Sequence, residues 1–472
     1  MREKLFQFSQ RIIEYSFYLL FFLVPLILTP FNYELFEYNK MMLTYGLTII
    51  ISGIWLIKMI IGKEFRIART PLDLPIILFL ASQIISTAFS LDRHVSVWGY
   101  YSRFNGGLLS IITYILLYYA FVSNFPKEKT GKLLQAILIS GAIVALYGIL
   151  EHFGIDKDLW VQDVQNRVFS SLGQPNWLAA YLAVLIPTTI GLTLNSKFEY
   201  LNPKQYHNSD LENSGLFSVS DFGFLISKNI GLLVYWVIGN IFYITLLFTK
   251  SRSGFLALWI SLIIFWLISL FLRFFSKIRA LKSPQMQATA SICGECNRLI
   301  GFFTLGFLAI TFFLGAPFQQ VSRFTLPELI SNRQSLPATQ LPTKPLGSSI
   351  IDVGITESGT IRRIVWKGAV DVFSHYPIFG SGVETFAFAY YKFRPSEHNM
   401  TSEWDFLYNK AHNEYLNFAA TTGVFGIGSY LLIVITYIIW FIWKIAKSEG
   451  GARWTISNNI PNPKSQLGQL EI

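Results

Sequence analysis

Charge is scarce in this sequence. Only 14% of its 472 residues are Asp, Glu, Lys or Arg, where a soluble domain carries about 25%. With 52% hydrophobic residues beside it, such sparse charge excludes a surface that lies mainly in water. Cysteine is nearly absent, at two residues, which excludes a disulfide scaffold. Repeats with a period of 20–50 residues are lacking, and so is low complexity. The N-terminus does not read as a cleavable leader either. The apolar run from Tyr15 to Thr29 ends in Pro30-Phe31-Asn32 with no small-residue cleavage site, so it reads as a first span that stays. The aromatics are plentiful, with 42 Phe, 23 Tyr and 12 Trp, and they exclude disorder. Composition therefore points to one integral membrane domain, residues 1–450, followed by a polar tail, 451–472.

A helix needs about 20 apolar residues to cross the hydrocarbon core. Ten segments meet or approach this: 15–30, 41–61, 74–90, 107–125, 132–151, 177–194, 231–249, 254–272, 299–316 and 427–445. Residues 412–426 read as a further short or re-entrant helix. The expected fold is an all-α polytopic membrane protein with about 10–12 transmembrane helices. The formal charge of +10 fits this reading. With the N-terminus inside, the cytoplasmic pieces hold 22 of the 38 Lys and Arg, and the short outer pieces hold 7. That asymmetry follows the positive-inside rule and puts both termini in the cytoplasm. The basic balance is then topology, and no nucleic-acid partner is implied. The partner it does imply is the lipid bilayer.

Ion-coupled pumps and transporters place ionisable side chains inside the membrane. None falls in the middle of these ten segments; Lys58, Asp73 and Glu151 sit at ends, where long side chains can snorkel. Chemistry is expected at a membrane surface instead, and the outer surface carries the unusual loops.

The longest outer loop runs over 317–411. Within it Ile361, Ile364, Val365, Gly368, Val372 and Phe373 follow the spacing of an amphipathic helix. Thr360 reads as its N-cap, Pro377 as its stop and Phe379-Gly380-Ser381-Gly382 as a tight turn. Arg362 and Trp366 share a face. Either the helix lies on the bilayer with Arg362, Arg363 and Lys367 solvated, or an arginine is held there to bind phosphate. Ser251-Arg252-Ser253-Gly254 is a very short outer turn. Arg252 either snorkels to lipid phosphate or acts as a fixed cation at a helix N-terminus. The segment Ala411-His412-Asn413-Glu414-Tyr415-Leu416 closes the loop. His412 is either a hydrogen-bonded structural residue or a general base.

Residues 167–176 (RVFSSLGQPN) contain Arg167, with Asn176 read as a cap for the next span. Residues 92–107 carry His94, Arg103 and several aromatics. Glu403 and Asp405 are two apart, either a solvated loop or a divalent-metal pair. Cys293 and Cys296 form a lone CxxC in the inner loop 273–298; zinc needs four ligands, and no second pair exists.

The order of these features resembles the O-antigen ligase family. The SRSG turn is followed by a long loop bearing an Arg-to-Trp helix (RRIVW). Then come PIFGSG, Phe386, Tyr391, Arg394 and AHNEYL before a last span. The RVFSSLGQPN stretch also resembles the family's segment before a span. The resemblance implies a GT-C-like fold and an inverting, metal-independent glycosyltransferase without a cofactor. The donor would be a polyprenyl-diphosphate-linked glycan, and the acceptor a hydroxyl on a glycan, lipid or protein. The site would face outward from a bacterial cytoplasmic membrane.

Carried onto this sequence, the resemblance gives Arg252, Arg362 and His412 the catalytic roles, with Arg363 the alternative match to Arg362. Trp366, Arg167, Arg103, Arg394, Asn413 and Tyr415 are further binding candidates. Three other readings stay open. A polymerase would use the same donor, a small-anion transporter of the bicarbonate type would belong to another class, and a metal-dependent oligosaccharyltransferase would rest on Glu403 and Asp405.

The residue types suit the chemistry. Negative charge builds on a departing diphosphate, and a guanidinium donates two parallel hydrogen bonds to phosphate without losing its proton. The acceptor hydroxyl is a poor nucleophile until a base takes its proton.

Overall fold

The computed structural model describes residues 1–30, 34–101, 104–201, 228–280, 284–334 and 358–448. Arg103, the polar tail and most of the Pro- and Ser-rich stretch 331–350 lie outside these residues. Among the described residues the chain forms helices and no β-strand. Helices cover all ten apolar segments: α1 (Arg2–Leu26), α2 (Glu37–Gly62), α3 (Asp73–Ala88), α5 (Leu108–Asn124), α6 (Thr130–His152), α7 (Pro175–Leu201), α8 (Lys228–Phe248), α9 (Arg252–Ala280), α10 (Pro284–Leu314) and α15 (Glu414–Ser448). Short helices complete the order: α4 (Arg93–Trp98), α11 (Gln319–Ser322), α12 (Leu326–Gln334), α13 (Ser358–His375) and α14 (Phe386–Phe393). Among the described residues six helices are long and apolar enough to cross a membrane, and three shorter apolar helices accompany them. The chain is an all-helical polytopic membrane protein.

The chain divides into two compact units, one of Met1–Phe65 with Ala120–Leu346, the other of Arg66–Tyr119 with Gly347–Ile472. In the first, α6 to α10 enclose a core built on Leu138, Leu182, Ile186, Phe242, Tyr243 and Phe307. Some of its charged residues are taken up by polar partners. Lys129 lies 2.7 Å from Glu14, and Lys58 donates to Gln10 and Asn124. α10 begins at Pro284, well before its apolar run, so Cys293 and Cys296 fall on helix and not in a loop.

In the second unit, α13 packs its apolar face inward. Ile361, Val365, Ala369 and Val372 join Phe386, Tyr390 and Tyr408 in one core. Protein, not lipid, covers this face, while Arg362, Arg363 and Lys367 stay exposed. The helix starts at Ser358, so Thr360 stands in its first turn and is not the cap.

Residues 414–422 form the first part of α15, ahead of a break in its backbone. Gly423 breaks α15 with φ 63° and ψ −164°. The break strips carbonyls of their helical partners, and the loop after α13 replaces them. Ser381 N donates to Ala420 O at 3.0 Å, Gly382 N to Thr421 O at 2.9 Å, and Val424 N to Pro377 O at 2.8 Å. This is why a Gly-rich turn follows Pro377: buried backbone groups must be paired. Gly380 has φ 73°, and a Cβ there would sit 2.1 Å from the Thr421 carbonyl carbon. Gly380→Val is expected to destabilise this unit by about 2–5 kcal/mol, adding left-handed backbone strain to overpacking. Loss of a monodisperse peak in size-exclusion chromatography would register it.

Candidate functional site

Each unit holds one cluster of the residues singled out from the sequence. In the first unit the cluster surrounds the turn between α8 and α9. Ser251 caps α9: Gly254 N donates to its Oγ at 3.3 Å, and that hydroxyl donates to Asn176 Oδ1 at 2.9 Å. Asn176 therefore anchors the turn and does not cap α7. That helix starts at Pro175, with Trp177 N and Leu178 N donating to Gln174 O; proline is suited to the first helical position. A Cβ on Gly254 would lie 2.5 Å from Ala179 Cβ, so α7 and α9 can approach closely only with glycine there.

Arg252 is thus the first residue of a long, rigidly capped helix. Its Nε donates to Pro317 O at 3.3 Å, and the side chain is exposed. This bond fixes the guanidinium plane and leaves both Nη groups for a ligand. Arg167 lies at the same turn, with Nε donating to Thr249 O at 3.1 Å. Burial pushes its guanidinium below the ordinary arginine value, yet that value is so high that the charge is retained. Lys250 donates to Asn166 beside it. Three cations therefore gather at one turn, reinforced by the positive end of the α9 dipole.

In the second unit Arg362 and His412 converge on Tyr408. The His412 ring meets the Tyr408 ring edge-on, with centroids 5.3 Å apart. Burial pushes the Tyr408 phenol up, the hydrogen bond it donates to Glu403 adds to this, and the positive charge of Arg362 works against it. His412 is exposed and has a left-handed backbone, φ 50°, a conformation that costs most residues about 1–2 kcal/mol. The next residue holds the helix start: Asn413 Oδ1 accepts from Tyr415 N at 3.1 Å and Leu416 N at 3.3 Å. Tyr415 is exposed, its ring 6.2 Å from Tyr430.

Trp366 lies one turn beyond Arg362, and its buried Nε1 has no acceptor among the described residues. Lys367 is taken up by Glu397 at 2.6 Å, which raises the lysine and lowers the carboxylate through their hydrogen bond. Arg394 donates to Asn399. Arg362 and Arg363 make no hydrogen bond or ion pair among the described residues, so both are available to an anion.

Sequence reasoning missed Tyr408. It read Glu403 and Asp405 as either a solvated loop or a divalent-metal pair, whereas Glu403 accepts from Tyr408. It also left out His398, whose Nδ1 lies 2.7 Å from the Tyr390 hydroxyl and whose Nε2 lies 3.0 Å from Glu403 O. This buried histidine ties the loop before Glu403 to α14. No spacing rule links these positions, because their proximity is made by the loop. Tyr408→Phe keeps the ring against His412 and removes one hydrogen bond to a carboxylate. It is expected to cost about 1–3 kcal/mol of stability, read as a lower midpoint in thermal unfolding.

The family profile described as O-antigen ligase matches residues 237–431. This stretch is an O-antigen ligase family domain. It holds the α8–α9 turn, all of α13, and His412, so three of the principal candidates, Arg252, Arg362 and His412, fall within the domain. No curated protein matches the chain. An O-antigen ligase domain on a polytopic helical scaffold marks a glycosyl-transferring membrane enzyme.

Proposed function

We propose that this protein transfers a glycan from a polyprenyl-diphosphate carrier to a hydroxyl acceptor at the outer face of a bacterial cytoplasmic membrane. The observation that carries the reading is Arg252: an exposed guanidinium, steered by one bond through Nε, at the capped N-terminus of a long helix. Such a group fits the oxygens of a diphosphate in a way that a surface charge does not.

In the reaction, Arg252 binds diphosphate oxygens with Arg167 adding charge, and Arg362 serves as a further phosphate-binding guanidinium. His412 takes the proton of the acceptor hydroxyl. The freed oxygen pair attacks the anomeric carbon as the bond from that carbon to the diphosphate oxygen breaks. The leaving group departs as an anion and needs no general acid. Attack opposite the leaving group inverts the anomeric centre. Cations that strengthen their hold as charge develops lower the barrier more than they stabilise the bound donor.

The test is to incubate purified protein with a labelled polyprenyl-diphosphate oligosaccharide and candidate acceptors, then weigh the products. A single glycan on a hydroxyl supports the reading, a ladder of repeats points to polymerisation, and uptake without a new bond would replace the reading with transport. Because arginines take the place of a metal in this scheme, EDTA is expected to leave the rate within about 2-fold of the untreated enzyme. A rate lost to chelation and restored by Mg2+ would assign the diphosphate to a metal.

A further inference from the structure

In the first unit, α6 turns one stripe to the outside. Ile139, Ile143, Leu146 and Leu150 are exposed. They stand three or four residues apart and so share a face, on a helix long and apolar enough to cross a membrane. Lipid is the covering that a span offers to such a face. The stripe does not stop where the helix stops. Gly154, at φ 91°, closes α6 with paired bonds: Gly154 N donates to Glu151 O at 2.9 Å, and Ile155 N to Leu150 O at 3.1 Å. This is the Schellman arrangement, which brings Ile155 back beside Leu150. Asp156 then reverses the chain at φ 58°. Its carboxylate accepts from the Tyr147 hydroxyl and from Trp160 Nε1 at 3.0 Å. Trp160 packs inward, its ring 5.5 Å from Phe36 and 5.3 Å from Phe169. Its neighbours point the other way: Leu159 is 77% exposed, Phe153 is 74% exposed and Val161 is fully exposed. The loop is pinned from within, so its fold is what presents these apolar tips.

We propose that Phe153, Ile155, Leu159 and Val161 form an interfacial anchor, seated in the headgroup and upper acyl layer of the membrane face at which α6 ends. The argument is continuity. The anchor prolongs a stripe that lipid already covers, whereas water around this loop would meet four large apolar side chains in one short segment. Lys157 and Asp158, both exposed, set its depth: the apolar tips enter lipid while the two charges stay at the headgroups. The loop also leads into the cation turn. Val164 is buried, Arg167 Nε donates to Thr249 O, and Val168 N donates to Phe248 O at 3.3 Å. A loop fixed in lipid at one end and bonded to the end of α8 at the other holds Arg167 at a set height, level with the phosphates of a lipid-linked donor. This second step rests on the glycosyl-transfer reading; the contact with lipid does not.

The test uses the full chain with Cys293→Ser and Cys296→Ser, in nanodiscs of phosphatidylethanolamine and phosphatidylglycerol. Leu146→Cys, Leu159→Cys and Val161→Cys are made singly and labelled with a nitroxide. Power-saturation EPR compares collisions with oxygen, which concentrates in lipid, and with a nickel chelate, which stays in water. Labels at 159 and 161 are expected to favour oxygen, as the label at 146 does. Labels at 159 and 161 that favour nickel would place the loop in water. Labels shielded from both would bury it against protein, such as a second copy. Either result overturns the anchor, and a label at 146 that favours nickel would remove the continuity it is built on. The functional arm combines Leu159→Asn with Val161→Asn, which adds no charge and alters only exposed side chains. The KM for a polyprenyl-diphosphate donor is expected to rise roughly 10-fold, the measure of one apolar side chain withdrawn from lipid, and that for a water-soluble short-chain donor to stay within about 2-fold. An equal rise for both donors, or a rise for neither, would overturn the link from the anchor to the cation turn. Oxygen-favouring labels without any transfer product in wild type would leave the anchor standing and remove the transfer reading. Nickel-favouring labels beside normal transfer would do the reverse.

Discussion

His412→Ala is expected to lower glycosyl transfer by roughly 10²- to 10⁴-fold, the usual contribution of a general base, without loss of the folded protein. The side chain is exposed and meets the Tyr408 ring edge-on, so its removal leaves no buried cavity. Its backbone needs more care. At φ 50° alanine bears the same left-handed cost of about 1–2 kcal/mol that histidine does, whereas asparagine visits this conformation readily. His412→Asn is therefore the cleaner variant. It keeps the turn ahead of α15 and a polar side chain, and it removes only the basic nitrogen. Both variants should bind donor as wild type does, because the diphosphate is held by arginines. A His412→Asn enzyme turning over at the wild-type rate would strip His412 of its role.

Much of this could be read before any coordinates. Long apolar runs report helices because a membrane span must satisfy its backbone internally. The spacing of Ile361, Val365 and Val372 reports a buried face because side chains three and four apart share it. The turn at Ser251 was legible since capping is local: hydroxyl, arginine and glycine act within four residues. Other features were not. Asn176 looks like a cap in sequence, yet the helix begins one residue earlier and its side chain serves Ser251. The inward use of the α13 face could not be told from a bilayer-facing one, because lipid and protein core are equally apolar. Leu159 and Val161 carry no motif at all; the reversal at Asp156 and the inward ring of Trp160, packed on the distant Phe36, turn them outward. Local chemistry was readable, and partnerships between distant segments were not.

Arg252→Lys is expected to reduce transfer by about 10²- to 10³-fold, although the charge is kept. The argument is geometric. Arg252 donates from Nε to Pro317 O, so its two remaining nitrogens are already aimed before a donor arrives. Lysine has a single nitrogen on a flexible stem; it can reach the Pro317 carbonyl or a phosphate oxygen, and it cannot present a planar fork to two. The lost term is largest where charge has built up on the departing diphosphate, so kcat should fall more than donor KM rises. Arg362→Lys should behave alike, since Arg362 also stands without a partner among the described residues. If both arginines act on one diphosphate, Arg252→Lys and Arg362→Lys combined should cost less than the product of the single losses, because groups that act as a unit fail together. Losses that multiply in full would mean that the two guanidinium groups serve separate steps. A wild-type rate in Arg252→Lys would leave this arginine as an anchor to lipid headgroups, with no part in the chemistry.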